Sequence, residues 1–218
     1  WVFSNEVDTA ATPLTRFEPG AIVAVHSDRA RFLGYPYVNP HSLIAARILG
    51  RHAPYPPGKS LLVHRLQVAL ALRERLYPTP HYRLVHGESD QLPGLVVDRY
   101  GDVCVAQIGT AGMEVQKDAI VEALVKVVKP RAVVWKNDGG ARDLEGLPKY
   151  VEAALGEVPE SVDVVEGGLR YAAPLAGGQK TGWFYDQAWN RAQFLALAHG
   201  AKRVPDVFSY VGAWSVGA

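Results

Sequence analysis

Lys202-Arg-Val-Pro-Asp-Val-Phe-Ser-Tyr-Val-Gly-Ala213 is the stretch on which the fold reading turns. Lys202 to Phe208 reads as a strand, Ser209-Tyr-Val-Gly212 as a turn, and the apolar residues beyond as the opening of a helix. Strand, glycine-containing turn and helix start is how a doubly wound nucleotide-binding domain begins. Small residues at that place let the backbone approach a ligand, and amides at the helix start face its anionic end. Only Gly212 stands where a dinucleotide fingerprint wants three glycines, so a ligand with a carboxylate and no pyrophosphate fits better. A tight packing turn is the plainer alternative. Pro205 is out of place in a central strand, since proline cannot donate to the ladder.

Immediately upstream, Asp186 is expected to cap a helix reaching about His199, with Gly200 as its stop. Val162-Val165 and Leu169-Ala173 flank Glu166-Gly-Gly168 as a hairpin. Ala176-Gly-Gly-Gln-Lys-Thr-Gly182 invites a phosphate-loop reading and fails on spacing. That motif needs Gly directly before Lys and another five residues earlier, where this sequence has Gln179 and Pro174.

Further back, strands are expected at Tyr82-Val85, Gly94-Asp98, Val103-Gln107 and Ala132-Trp135, and one helix at 113–128. Asp98-Arg-Tyr-Gly-Asp102 makes a hairpin-type turn between two of them. Strand, strand, helix, strand indicates a small α+β domain. Before it, residues 59–77 carry Leu62, Leu66, Ala69, Leu70 and Leu76 near helical spacing, with Ser60 as N-cap and Arg65, Arg73 and Arg75 on the polar face. The first fifty or so residues read as short strands, at Ala21-Ile-Val-Ala-Val-His26, Arg31-Phe-Leu-Gly-Tyr35 and Ser42-Leu-Ile-Ala-Ala-Arg-Ile-Leu49, suggesting a small β-barrel.

The 218 residues are 48% hydrophobic, enough for a sizeable core in one to three domains. No apolar run approaches the roughly 20 residues of a membrane helix. With Cys104 as the single cysteine no internal disulfide can form, which suits a reducing cytoplasm. His81 and His86, the closest pair of histidines, give no metal-ligand spacing. Charge is segregated. Residues 47–83 hold seven bases (Arg47, Arg51, Lys59, Arg65, Arg73, Arg75, Arg83) against Glu74, and residues 138–166 hold eight acids against Arg142 and Lys149. Such segregation offers one face to a polyanion. Two solvated surfaces without a partner are the bland alternative.

Lys180-Thr-Gly-Trp-Phe-Tyr-Asp-Gln-Ala-Trp-Asn-Arg191 followed by Asp206-Val-Phe-Ser-Tyr-Val-Gly212 resembles the opening of the methyltransferase domain in the RlmI-like family of ribosomal RNA cytosine-5 methyltransferases. Arg83-Leu-Val-His-Gly-Glu88, Leu92-Pro-Gly-Leu-Val-Val-Asp-Arg-Tyr-Gly-Asp102 and Asn39-Pro-His-Ser-Leu-Ile-Ala-Ala-Arg47 resemble that family's middle and first domains. Trp183 stands where the family usually has a second Phe, and Ala188-Trp189 replaces a usually charged pair.

The resemblance implies a multidomain α+β and α/β chain. A PUA-like RNA-binding β-barrel would span 1–53, a linker helix with a strand-strand-helix-strand-strand domain 54–160, and the start of a Rossmann-like methyltransferase domain 161–218. Both ends are expected to be cut. The implied cofactor is S-adenosylmethionine, bordered by Lys180, Thr181, Phe184, Asp206, Phe208, Ser209, Tyr210 and Gly212, with Asp186, Gln187, Asn190 and Arg191 bracing that wall. Core packing is the alternative for Phe184, Phe208 and Tyr210. Ribosomal RNA is the implied partner, with Arg47, Arg51, Arg65, Arg73 and Arg75 as candidate contacts, and the family suggests a homodimer in the cytoplasm. Methylation at cytosine C5 needs a thiolate at C6. Cys104, inside the apolar run Val103-Cys-Val-Ala106, is expected to be buried and inert, so the catalytic residues are expected beyond Ala218. A stand-alone RNA-binding scaffold, or methyl transfer to another base, are the competing readings.

Overall fold

The computed structural model describes residues 1–52, 54–175 and 177–218. Ala53, the expected end of the first domain, and Ala176, the first residue of the glycine-rich segment, lie outside the described residues.

Strands β1 (Val25–His26), β2 (Phe32–Val38) and β3 (Ala46–Gly50) form an antiparallel sheet in that order. Isolated bridges Val2↔Ala46 and Ile22↔Tyr37 extend it. The third strand starts later than the apolar run suggests because Asn39 nucleates a turn. Its side-chain oxygen accepts the His41 amide at 3.1 Å and its carbonyl the Ser42 amide at 3.2 Å.

Helix α1 (Lys59–Leu76) follows. Gly58, not Ser60, is its N-cap, in extended backbone and without a side-chain cap bond. Its inner face carries Leu62, Leu66 and Ala69 into the core.

Strands β4 (His81–His86), β5 (Leu95–Tyr100), β6 (Val103–Ile108), β7 (Ala132–Asn137) and β8 (Tyr150–Leu155) make one sheet in sequential order. All pairs are antiparallel except β6 with β7. Parallel neighbours need a crossover, and α2 (Ala111–Val115) and α3 (Lys117–Val127) supply it. The single helix expected at 113–128 is therefore two, parted at Gln116, whose side-chain Nε2 donates back to the Gly112 carbonyl at 3.0 Å. Residues alternating along β5, β6 and β7 serve two cores. Leu95, Val97, Cys104 and Ala106 pack with α1 and α3, while Val103, Val105, Ala132 and Val134 face the next hairpin. With both faces covered, β7 is buried at every residue, which is why it reads as a continuous apolar run. Edge strand β8 has three consecutive exposed residues, so periodicity alone gave no sign of it.

Strands β9 (Ser161–Glu166) and β10 (Leu169–Pro174) are the expected hairpin, with Gly167 and Gly168 at φ +60° and +81° in its two-residue loop. Val162, Val164, Tyr171, Ala173 and Trp183 form the second core with the back of the five-stranded sheet. A short 3₁₀ turn, Tyr185–Gln187, leads into α4 (Ala188–Ala198). Asp186 lies inside that turn and Gln187 takes the cap position, without a side-chain cap bond. Residues 202–208 form no strand, contrary to the sequence expectation. No described strand offers them a ladder, and Pro205 has no amide to donate. Among the described residues no helix is long and apolar enough to cross a membrane.

Candidate functional site

The loop from Gly178 to Phe184 is held against the middle sheet by a buried polar cluster. Asp98, fully buried on β5, accepts two hydrogen bonds from the Arg83 guanidinium, at 2.9 and 3.0 Å, and a short one from the Thr181 hydroxyl. The Tyr100 hydroxyl reaches the carbonyl and hydroxyl of the equally buried Thr181 at 3.3 and 3.2 Å. Burial pushes the Tyr100 phenol well above its ordinary range, so it stays a neutral donor. The next wall of the loop rests on β9. Arg191 clasps Glu166 at 2.5 and 2.7 Å, donates to the Phe184 carbonyl at 3.0 Å, and lies 4.8 Å over the Trp183 ring, whose indole N–H also reaches Glu166. The substituted Trp183 is thereby a buried anchor. Asp98, Arg83, Tyr100 and Glu166 were absent from the sequence-derived site. A carboxylate closing the apolar run Gly94-Leu-Val-Val-Asp98 was the one signal for them.

Four of the eight expected cofactor residues meet on this loop. Thr181 is buried as above. Lys180 places its ammonium 4.5 Å over the Phe184 ring and 3.4 Å from the Asp186 carboxylate. Phe184 meets Tyr210 edge to face at 5.9 Å, and the Tyr210 hydroxyl donates to the Gly182 carbonyl at 3.0 Å. A Cβ on Gly178 would fall 2.0 Å from the Pro174 carbonyl oxygen and 2.8 Å from the Tyr210 hydroxyl, so the close approach requires glycine. The other four lie in the turn beyond. Asp206 accepts the Ser215 amide at 3.2 Å, and the Ser209 carbonyl accepts the Gly212 amide at 2.8 Å. Phe208 is 99% exposed. Lys180, Phe208 and Tyr210 occupy left-handed backbone, at φ +51°, +62° and +53°. Non-glycine residues avoid that region unless their surroundings impose it, and such residues cluster at functional sites.

The basic segment is mostly neutralised by long-range partners. Arg47 donates to Glu145 at 2.9 Å, and Arg73 makes a two-pronged pair with Asp90 at 2.6 and 2.7 Å. Lys59 pairs with Glu122, and Arg83 with Asp98. The Arg65 guanidinium makes short bonds to the Gln91 and Leu49 carbonyls, and Arg51 reaches the Leu33 carbonyl at 3.0 Å. Of the five candidate RNA contacts, Arg75 is exposed and has no hydrogen bond or ion pair among the described residues. Cys104 is fully buried, and burial pushes its thiol up to about 12.

Comparison with known proteins agrees with the sequence resemblance. Residues 1–51 match the model of a PUA-like domain. Over 99% of this chain, a protein of Alteromonas mediterranea named ribosomal RNA large subunit methyltransferase I is 36% identical, and one of that name from Vibrio cholerae is 33% identical. The chain spans 54% of each of these relatives' lengths. Among solved structures, a Streptococcus mutans protein assigned as a SAM-dependent methyltransferase superposes with a TM-score of 0.78 at 22% identity, covering 99% of this chain and 55% of that one. A second methyltransferase structure, complexed with SAH, gives 0.79 at 23%, covering 99% and 54%. These two structures share the fold of this chain, in which a PUA-like unit precedes a mixed five-stranded sheet. Along nearly its whole length, the chain is thus similar in sequence to proteins named ribosomal RNA large subunit methyltransferase I.

Proposed function

We propose that these residues serve a protein that transfers a methyl group from S-adenosylmethionine to C5 of a cytosine in large-subunit ribosomal RNA, in the cytoplasm. The observation that carries the reading is the 33–36% identity to relatives of that name along 99% of the chain. In this reading residues 1–53 and 54–160 dock RNA, and residues 161–218 open the methyltransferase domain. The resemblance adds that the protein acts as a homodimer.

The residues fit such a cofactor on one side. Phe184 and the backbone of Lys180 and Thr181 form a braced wall, and the exposed Lys180 ammonium suits a carboxylate. On the other side Asp206, Phe208, Ser209, Tyr210 and Gly212 are assigned to the same ligand, supported by the left-handed backbone at Phe208 and Tyr210. The cofactor, when bound, supplies an electrophilic methyl group. Lys180 and Phe184 bind and orient it, Thr181 and Asp98 hold the loop in place, and the Trp183 anchor excludes water behind it. Attack at cytosine C6 falls to a thiolate from outside these residues, since the Cys104 thiol is sealed in the core and protonated.

Isothermal titration of S-adenosylmethionine into the protein tests the cofactor assignment, and tritium transfer to large-subunit ribosomal RNA, with mass-spectrometric mapping of the product, tests the target. Cofactor binding and a 5-methylcytidine product are expected. Absence of cofactor binding sinks the enzyme reading, and a methyl group on another base sinks the cytosine assignment.

A further inference from the structure

A cleft of about 760 Å³ separates the end of α1 and β4 from the β9–β10 hairpin and the start of α4. Pockets of a few hundred Å³ or more are the size that takes a nucleotide-sized ligand. Its lining has a particular chemistry. Tyr77, 46% exposed, stands at the end of α1 with its ring 5.4 Å from that of Tyr82, and Tyr185 contributes a third aromatic. Leu72 and Leu76 are exposed apolar residues on the α1 side.

The charged groups of the lining balance and are already engaged. Arg73 pairs with Asp90, Arg83 with Asp98, Glu166 with Arg191, and Asp186 with Lys180. A phosphate therefore gains little inside, whereas a flat neutral group with hydrogen-bonding edges is suited to the space. His81 also lines the cleft, and burial holds its imidazole below the ordinary pKa, so it adds no charge to the lining. Arg75, on the last turn of α1 just outside the lining, is an exposed cation without a partner among the described residues.

We infer that this cleft receives an unpaired nucleobase of single-stranded RNA, with the half-exposed Tyr77, backed by the buried Tyr82, as its stacking platform and Arg75 beside the flanking phosphate. RNA is read where splayed bases stack on aromatic rings and expose their edges, and every base has a π-face that stacks. The inference rests on the proposed RNA-binding role and adds where an unpaired base goes. Arg83 in the cleft and Thr181 in the cofactor loop share the Asp98 carboxylate, so an occupied cleft adjoins the loop through two side chains.

The test is fluorescence anisotropy on the full chain with a fluorescein-labelled oligouridylate and, separately, a duplex RNA of equal length. Tyr77→Ala is expected to weaken single-strand binding by roughly 5- to 150-fold and to leave duplex binding unchanged. Leu72→Glu, at an exposed helix position, is expected to weaken it as well. Arg75→Gln is expected to lower the slope of log affinity against log salt by about 0.7. Cross-linking with 5-iodouridine is expected to label Tyr77. If the unaltered chain binds neither RNA, the RNA-binding reading falls and the cleft with it. If the unaltered chain binds and both Tyr77→Ala and Leu72→Glu keep full affinity, the cleft assignment alone falls. Should a variant lose its fold by circular dichroism, the cross-link decides, and adducts mapping away from the cleft overturn the assignment.

Discussion

Asp98 is the residue whose removal most directly tests how the loop from Gly178 to Phe184 is held. Its carboxylate has no exposure, and it accepts two bonds from Arg83 and one from the Thr181 hydroxyl, 83 residues away. Asp98→Ala strands a guanidinium and a buried hydroxyl. Breaking a fully buried ion pair costs about 3–5 kcal/mol. The Arg83 side chain keeps 24% exposure, so water recovers part of that, and the net loss is expected at about 3 kcal/mol. Asp98→Asn keeps one acceptor oxygen and should lose about 1–2 kcal/mol. In urea the Asp98→Ala midpoint should fall by roughly 1 M at unchanged slope, given a slope of about 3 kcal/mol per molar for a chain of this size. Arg83→Met alone leaves Asp98 uncompensated, while the double variant removes both charges, so a coupling of about 2 kcal/mol is expected from the cycle. Tryptic cleavage after Lys180 should quicken in Asp98→Ala, because the loop loses its tether. A coupling under about 0.5 kcal/mol, or an unchanged cleavage rate, would refute the view that Asp98 fastens the loop to the middle sheet.

Gly112→Ala should be among the more damaging single-methyl additions. Its Cβ would sit 1.9–2.4 Å from three ring carbons of Tyr37, forcing that side chain off its bonds to the Pro93 carbonyl and the Thr110 hydroxyl. A loss of about 3 kcal/mol should lower the melting temperature by roughly 6–12 °C. Cys104 should resist iodoacetamide in the folded chain at pH 8 and react on denaturation; rapid native labelling would contradict its burial. Its thiol ordinarily ionises near 9.0 and in the fold near 12. Below pH 9 both states are protonated and it adds no pH dependence; above that the unfolded thiol ionises first, so unfolding is favoured increasingly up to pH 12, and Cys104→Ala should flatten that part of the stability profile. Arg65→Ala and Arg73→Ala should each destabilise the chain by about 1–3 kcal/mol through lost carbonyl and carboxylate bonds, whereas Arg75→Ala should change stability by less than about 0.5 kcal/mol; equal melting curves for all three would remove the distinction between tethered and free cations.

Features set within a few residues were legible, and features set by partners far along the chain were not. The apolar runs of β6 and β7 and the Gly167-Gly168 loop announce themselves because strand burial and left-handed turns are written locally. The edge strand β8 carries exposed residues through its middle, so no pattern marks it. The arginine-rich segment misleads for a physical reason. Charge counted along sequence assumes that neighbours in the chain are neighbours in space, yet Glu145 lies 98 residues from Arg47 and Asp90 lies 17 from Arg73. Pairing converts these cations from a field facing solvent into ties between elements. Residues 202–208 show the converse. A strand signal is a statement about a ladder, and where no described strand lies alongside, Val207 and Phe208 stay exposed. The same logic bears on where RNA is sought. A docking surface is made of exposed groups left without internal polar partners, and Arg75 and Tyr77 meet that condition better than the paired arginines beside them.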